Sequence, residues 1–122
     1  MVEFISIPSF FWNQLNYSLI AHNNRSLPSI WVLGKNCGPM PSFIQLHDQH
    51  ITFDILFHCS RHRISFVYSS NWRNKRMELW SDLLSLSQNF NSSWCVLEDF
   101  NSVVGAHEKT GKAQAMGPYR DF

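Results

Sequence analysis

Hydrophobic and polar positions alternate most cleanly in ITFDILFH, where Ile51, Phe53, Ile55 and Phe57 share one side of an extended chain and Thr52, Asp54 and Leu56 take the other. That period of two predicts a strand with one apolar face. ISFVYSS follows a charged interruption at Ser60 to Arg63, and its near-continuous apolar run from Ile64 to Tyr68 predicts a strand buried on both faces. Upstream, SIWVL predicts a short buried strand at Ile30 to Leu33, ended by Gly34 and the loop KNCGPMP. SFIQLH reads as another strand, and Asp48, Gln49 and His50 as a hairpin turn, so three successive antiparallel strands are expected up to Tyr68.

At Asn71 the period lengthens. NWRNKRMELWSDLLSLSQN sets Met77, Trp80, Leu84 and Ser87 on one stripe with Leu83 beside it, the spacing of an amphipathic helix. Ser69, Ser70 or Asn71 is the expected cap, Asn89 and Asn91 mark the end, and Trp80 and Leu84 are expected to be core contacts. SSWCVLEDF then supplies a strand from Trp94 to about Glu98, and a strand, helix, strand order returns the chain parallel. Asp99 and Asn101 would thus stand at the carboxyl end of a central strand, where α/β sheets bind ligands.

The two ends are less regular. Phe4, Ile5, Ile7, Phe10, Phe11 and Trp12 suit a strand or a short amphipathic piece, but Pro8 and the polar AHNNRSLPS break the pattern. Residues 1–28 therefore read as a poorly defined N-terminal segment and 29–122 as the domain. The tail VVGAHEKTGKAQAMGPYRDF is loop-like, with Gly105, Gly111 and Gly117 as turn residues.

A chain of 122 residues supports one hydrophobic core. Its net charge of +1 supplies no overall basic field for a phosphate backbone, so a nucleic-acid function needs a local patch. Two clusters qualify, Arg61, His62 and Arg63, then Arg73, Lys75 and Arg76, each equally readable as a solvated face. Cys37, Cys59 and Cys95 cannot all pair internally and show no CxxC spacing, which points to free thiols in a reducing compartment, nucleus or cytoplasm, with Cys59 and Cys95 as small buried thiols. The opening residues have neither the basic-then-apolar layout of a signal peptide nor the apolar length of a membrane span, so no membrane association is expected. His58, Cys59 and His62 with Cys37 or Cys95 can be drawn as a zinc site, but they fall on different elements without a compact knuckle. No phosphate-cradling glycine motif is present.

The chemistry concentrates in WCVLEDFN. In an extended backbone Asp99 and Asn101 point to the same side; Asp can hold a divalent cation or orient a water, and Asn can contact a phosphate oxygen. Both are equally at home as turn formers whose side chains bond nearby main-chain N–H groups. SSWCVLEDFNSVVGAHEKTG resembles the segment around the GDFN motif of the endonuclease/exonuclease/phosphatase superfamily, specifically the endonuclease domain of plant non-LTR, LINE-type retrotransposon reverse transcriptase polyproteins. SIWVLGKN, FVYSSN and RNKRMELWSDL are similar to the same family in the same order, over about Ser29 to Phe122.

The resemblance implies an incomplete four-layer α/β/β/α sandwich and a Mg²⁺- or Mn²⁺-dependent hydrolysis of DNA phosphodiesters. It gives Asp99 the metal and water-orienting role, Asn101 the scissile phosphate, and Tyr68 a part in placing that phosphate. Glu98 stands where the family has glycine, and is expected to crowd the site or repel phosphate. The family's early metal-binding Glu has no counterpart, since Glu3 lacks the surrounding pattern, and its closing Asp-His pair is not matched by His107, which belongs to the loop after the motif. The expectation is a remnant or fragment of a DNA endonuclease, weak or inactive by itself and open to self-association through an exposed sheet surface. The alternative is a noncatalytic nucleic-acid-binding or structural fragment, for which Trp72 beside Arg73 can stack on a base or, more plainly, lie partly buried at the helix start.

Overall fold

The computed structural model describes residues 9–23 and 29–100. In chain order the elements are α1 (Ser9–Gln14), β1 (Tyr17–His22), β2 (Trp31–Lys35), β3 (Ser42–Leu46), β4 (His50–Phe57), β5 (Ser60–Tyr68), α2 (Arg73–Ser87) and β6 (Trp94–Asp99). β1 and β2 form an antiparallel pair, and the other strands form a sheet in the order β3, β4, β5, β6. The three-strand meander is antiparallel as the alternation predicts, and β6 adds to β5 in parallel after the α2 crossover. The result is a mixed α/β fold with helices flanking a multi-stranded sheet. No described helix is long and apolar enough to cross a membrane.

Side-chain alternation assigns the two faces of the four-stranded sheet to different neighbours. Ile51 and Phe53 of β4 join Ile30 and Val32 in the buried core, with Ala21, Phe43, Ile55, Ile64 and Phe66 packed around them. The β1–β2 pair therefore covers this face. The rings of Phe43 and Phe66 meet Phe53 at centroid distances of 5.6 and 5.9 Å, within the range of favourable aromatic pairs. On the opposite face, His50, Thr52, Asp54, Arg63 and Ser65 are buried beneath α2. Trp31, which alternation turns away from Val32, meets Trp12 of α1 edge to face at 6.3 Å.

Several elements depart from the pattern in instructive ways. The first 28 residues include α1 and β1, and β1 pairs with β2 through Gly34, so this glycine continues a strand instead of ending it. A Cβ there would overlap the side chain of Ile20, which would have to shift to admit it. The charged stretch Ser60 to Arg63 is part of β5, because a two-residue turn at His58 and Cys59 reverses the chain with Phe57 opposite Ser60. Both turn residues have positive φ, 48° and 63°, as a type I′ hairpin turn requires.

The helix stripe is displaced by one residue. Arg76 and Leu79 are its buried positions, whereas Leu84 is 63% exposed and Met77 is also exposed, so Leu84 is not a core contact. The reason is the partner surface: the sheet face under α2 is largely polar, with Val67 as its buried apolar residue, and Asp82 of the helix approaches His50 there. Arg76 Nη1 donates to the carbonyls of Asn71 and Ser70. The cap residue is Trp72 without a side-chain cap bond, and Ser70 Oγ instead accepts from the Trp72 N–H. α2 ends at Ser87, just before the asparagines expected to mark its end.

Candidate functional site

The β5–β6 register pairs Tyr68 with Asp99, and the Ser69 N–H continues the ladder by donating to the Asp99 carbonyl at 2.8 Å. Two parallel strands thus end side by side, with Tyr68 and Asp99 on the same face as Phe66 and Leu97. Both are exposed. β6 is the edge strand among the described residues, not a central one, so Asp99 stands at a sheet corner. Asn101 lies outside the described residues, as do Glu3, His107 and the segment expected to be a loop after the motif.

Glu98 alternates to the other face of β6, and its carboxylate accepts the Phe100 N–H at 3.0 Å. The side chains of Glu98 and Asp99 thus leave the strand on opposite faces. On the hairpin-side face of β4, β5 and β6, Asp99 is the only carboxylate. Mg²⁺ and Mn²⁺ favour a shell of several oxygen donors. Among the described residues, Asp99 is the one carboxylate that this sheet face offers to such a shell.

The basic clusters also resolve into structure. Arg63 is buried and grips Asp54 with two nitrogens at 2.9 and 3.3 Å, donates Nη1 to the Leu86 carbonyl at 2.8 Å, and lies 3.9 Å from the centre of the Phe90 ring. It satisfies a carbonyl in the last turn of α2, where a cation is favoured. Lys75 pairs with Glu78 at 2.8 Å, and Arg76 is buried. Neither cluster is a continuous basic surface. Trp72, by contrast, is 78% exposed, which corrects the reading of a partly buried ring at the helix start. Cys37, Cys59 and Cys95 are free thiols, all exposed, so Cys59 and Cys95 are not buried core residues.

A second constellation was not singled out from the sequence. His47, His50 and Asp82 present potential ligand atoms within 4.8 Å of one another, the only such group of three among the described residues, and can hold a divalent cation. The β3–β4 turn carries His47, β4 begins at His50, and Asp82 comes from α2. Gln49 locks this turn against the helix: its Nε2 donates to the Lys75 carbonyl at 2.8 Å and its Oε1 accepts the Ser70 N–H at 2.9 Å. Asn23 fixes the other side, donating to the Asp48 carbonyl while its own Oδ1 accepts the N–H groups of Ser29 and Ile30. Buried polar residues so fully used are the structural reason the turn holds one shape.

Within the cluster, Asp82 Oδ2 lies 3.7 Å from His47 Nε2 and 3.8 Å from His50 Nε2. The two imidazoles stack with centroids 5.3 Å apart. His50 is fully buried, and burial, then the neighbouring His47, hold its pKa below the ordinary 6.5, with Asp82 and Asp48 pulling the other way. Its Nδ1 contacts Thr52 Oγ1 at 3.2 Å, Thr52 shares a 2.7 Å hydrogen bond with Ser65, and Trp94 Nε1–H donates to Ser65 at 3.0 Å. The signal in the sequence was HDQH, two histidines three apart, which reads as turn punctuation until α2 brings Asp82 alongside. Comparison of the chain with protein-family models, curated proteins and solved structures finds no match to any of them.

Proposed function

We propose that this chain derives from a DNA endonuclease of the endonuclease/exonuclease/phosphatase type, the LINE-type endonuclease domain being the family it resembles, and that it engages phosphodiesters at its Tyr68–Asp99–Asn101 corner with little or no hydrolysis of its own. The observation that carries this reading is the β5–β6 register, which pairs Tyr68 with Asp99 at the carboxyl ends of two parallel strands. Ligands collect at that end of α/β sheets. The arrangement of α2, the four-stranded sheet, the β1–β2 pair and α1 is in keeping with a sandwich of this type. The Tyr68 hydroxyl and the Asn101 amide are neutral donors suited to nonbridging phosphate oxygens. Among the described residues Asp99 is the single carboxylate on that sheet face, so no metal-assisted step is assigned to them.

Two measurements test the reading. Incubation with supercoiled plasmid and Mg²⁺ or Mn²⁺ is expected to leave the DNA intact, and metal-dependent nicking abolished by D99A would overturn the inactivity. Binding of a labelled single-stranded oligonucleotide is expected to weaken as salt rises, and to fall several-fold in Tyr68→Phe and Asn101→Ala. Binding that ignores both substitutions removes the phosphodiester corner.

The exposed indole of Trp72 favours a second reading, a noncatalytic strand-binding surface on which a base stacks. Stacking of this kind contributes about 1–3 kcal/mol per base. Under that reading Trp72→Ala abolishes binding while the Tyr68 and Asn101 variants retain it.

A further inference from the structure

We propose that His47, His50 and Asp82 form a binding site for Zn²⁺ or another divalent ion of the same borderline class. This inference is independent of the phosphodiester reading, since it concerns other residues on the opposite face of the sheet.

Donor chemistry selects the ion. Two imidazole nitrogens and one carboxylate suit zinc and its transition-metal neighbours, whereas Mg²⁺ and Ca²⁺ take oxygen shells. Metal–ligand bonds of about 2.0–2.1 Å in a tetrahedron place donors roughly 3.4 Å apart; Asp82 lies 3.7 and 3.8 Å from the two imidazoles, and all three ligand atoms fall within 4.8 Å of one another. His47 and Asp82 are each about one-third exposed, at 31% and 32%, so both can close on an ion by small side-chain rotations while His50 stays fixed.

The second, independent observation is the state of His50. It is fully buried, yet its Nε2 has no hydrogen-bond partner among the described residues. A buried polar atom without a partner is costly, and this one faces Asp82 at 3.8 Å. Its other nitrogen is held by Thr52, and the Thr52–Ser65–Trp94 chain behind it fixes the ring plane. With Nδ1–H donating to Thr52 Oγ1, the Nε2 lone pair is directed at the ion, the supporting arrangement metal-bound histidines use. On the surface side, His47 Nδ1 is occupied, accepting the Gln49 N–H at 3.4 Å and lying 2.7 Å from Asp48 Oδ1, which leaves Nε2, the nitrogen nearer Asp82, as the ligand atom. Three protein ligands from the β3–β4 turn, the start of β4 and α2 leave a fourth position for water or an exchangeable ligand.

The exposed thiols of Cys37, Cys59 and Cys95 also attract such ions, so the test uses a C37S/C59S/C95S background. Co²⁺ titration of the chelator-treated protein is expected to give one equivalent of visible d–d absorption without a thiolate charge-transfer band, displaced by Zn²⁺ and unaffected by excess Mg²⁺. His47→Gln and Asp82→Asn, both at partly exposed side chains, are each expected to weaken Zn²⁺ binding at least tenfold in competition with a chromophoric chelator. Zn²⁺ should raise the melting temperature of the cysteine-free protein and not of the two variants. Loss of binding on removing the cysteines, or affinity unchanged in both variants, overturns the site.

Discussion

The two faces of the four-stranded sheet are equally buried at β4 and closed by opposite means. Toward the β1–β2 pair, Ile51 and Phe53 pack on Ile30 and Val32 through contacts that have no required direction. Toward α2, His50, Thr52, Asp54, Arg63 and Ser65 are buried in a network of specified bonds. The apolar face needs only volume and shape; the polar face needs directed partners, because a buried charge or hydroxyl left alone costs more than its bond contributes. The polar face therefore also fixes where α2 lies, since Arg63 binds Leu86 near one end of the helix and Gln49 binds Lys75 near the other.

The sharpest way to break this comparison is at neighbouring residues of β4. Phe53→Ala removes a core ring and should cost about 3–5 kcal/mol. Asp54→Ala should cost as much, about 3–5 kcal/mol, because it leaves the Arg63 guanidinium buried without its carboxylate. The two differ in repair. Joint replacement of the pair in Asp54→Leu/Arg63→Met should recover most of the Asp54→Ala loss, with a remainder from the Leu86 carbonyl that Arg63 no longer serves. Urea unfolding of the single and double variants measures this, and a double variant no better than Asp54→Ala would show that the pair is not what the polar face depends on.

A smaller effect tests the hydroxyl chain. Thr52→Val keeps the shape and removes the bridge between His50 and Ser65, leaving His50 Nδ1 without its partner, and should cost about 1–3 kcal/mol. Thr52→Ser keeps the hydroxyl and should retain the wild-type response of the Trp94 indole, read as its NMR N–H shift. A Thr52→Val protein as stable as wild type would reduce the chain to incidental contacts.

Period-two and helical spacing made much of the sheet legible. The β3–β5 meander, α2 and the parallel return of β6 all follow from it, and so does the approach of Asp99 to a strand end. What the spacing missed has physical causes. Alternation in ITFDILFH marks Thr52 and Asp54 as the polar side, but cannot say whether that side meets water or a helix carrying its own polar groups. The same ambiguity displaced the buried face of α2 from Met77 and Leu84 to Arg76 and Leu79. The β4–β5 turn went unseen because His58 and Cys59 occupy positive-φ positions usually filled by Asn and Gly. β1 was obscured by polar neighbours such as Asn23, which is buried because it caps the chain entering β2. The His47–His50–Asp82 cluster depends on packing between a turn and a distant helix, and no local pattern encodes that.

The smallest effect is the pH response of the metal-free protein, in which His50 is a single buried imidazole on the polar face. Burial and His47 lower its folded-state pKa below 6.5, while Asp82 and Asp48 partly oppose them. The unfolded chain then binds a proton that the fold refuses, so stability should be unaffected well above 6.5, decline as pH falls through 6.5, and level off below the folded pKa. A raised pKa would produce the opposite sign. Chelator-treated protein unfolded by urea at several pH values should show this decline, and His50→Gln should flatten it over the same window. The apolar face offers no such handle: Phe53→Ala should lower stability by the same amount at each pH, and a pH-dependent difference between wild type and that variant would mean that the two faces are coupled through β4.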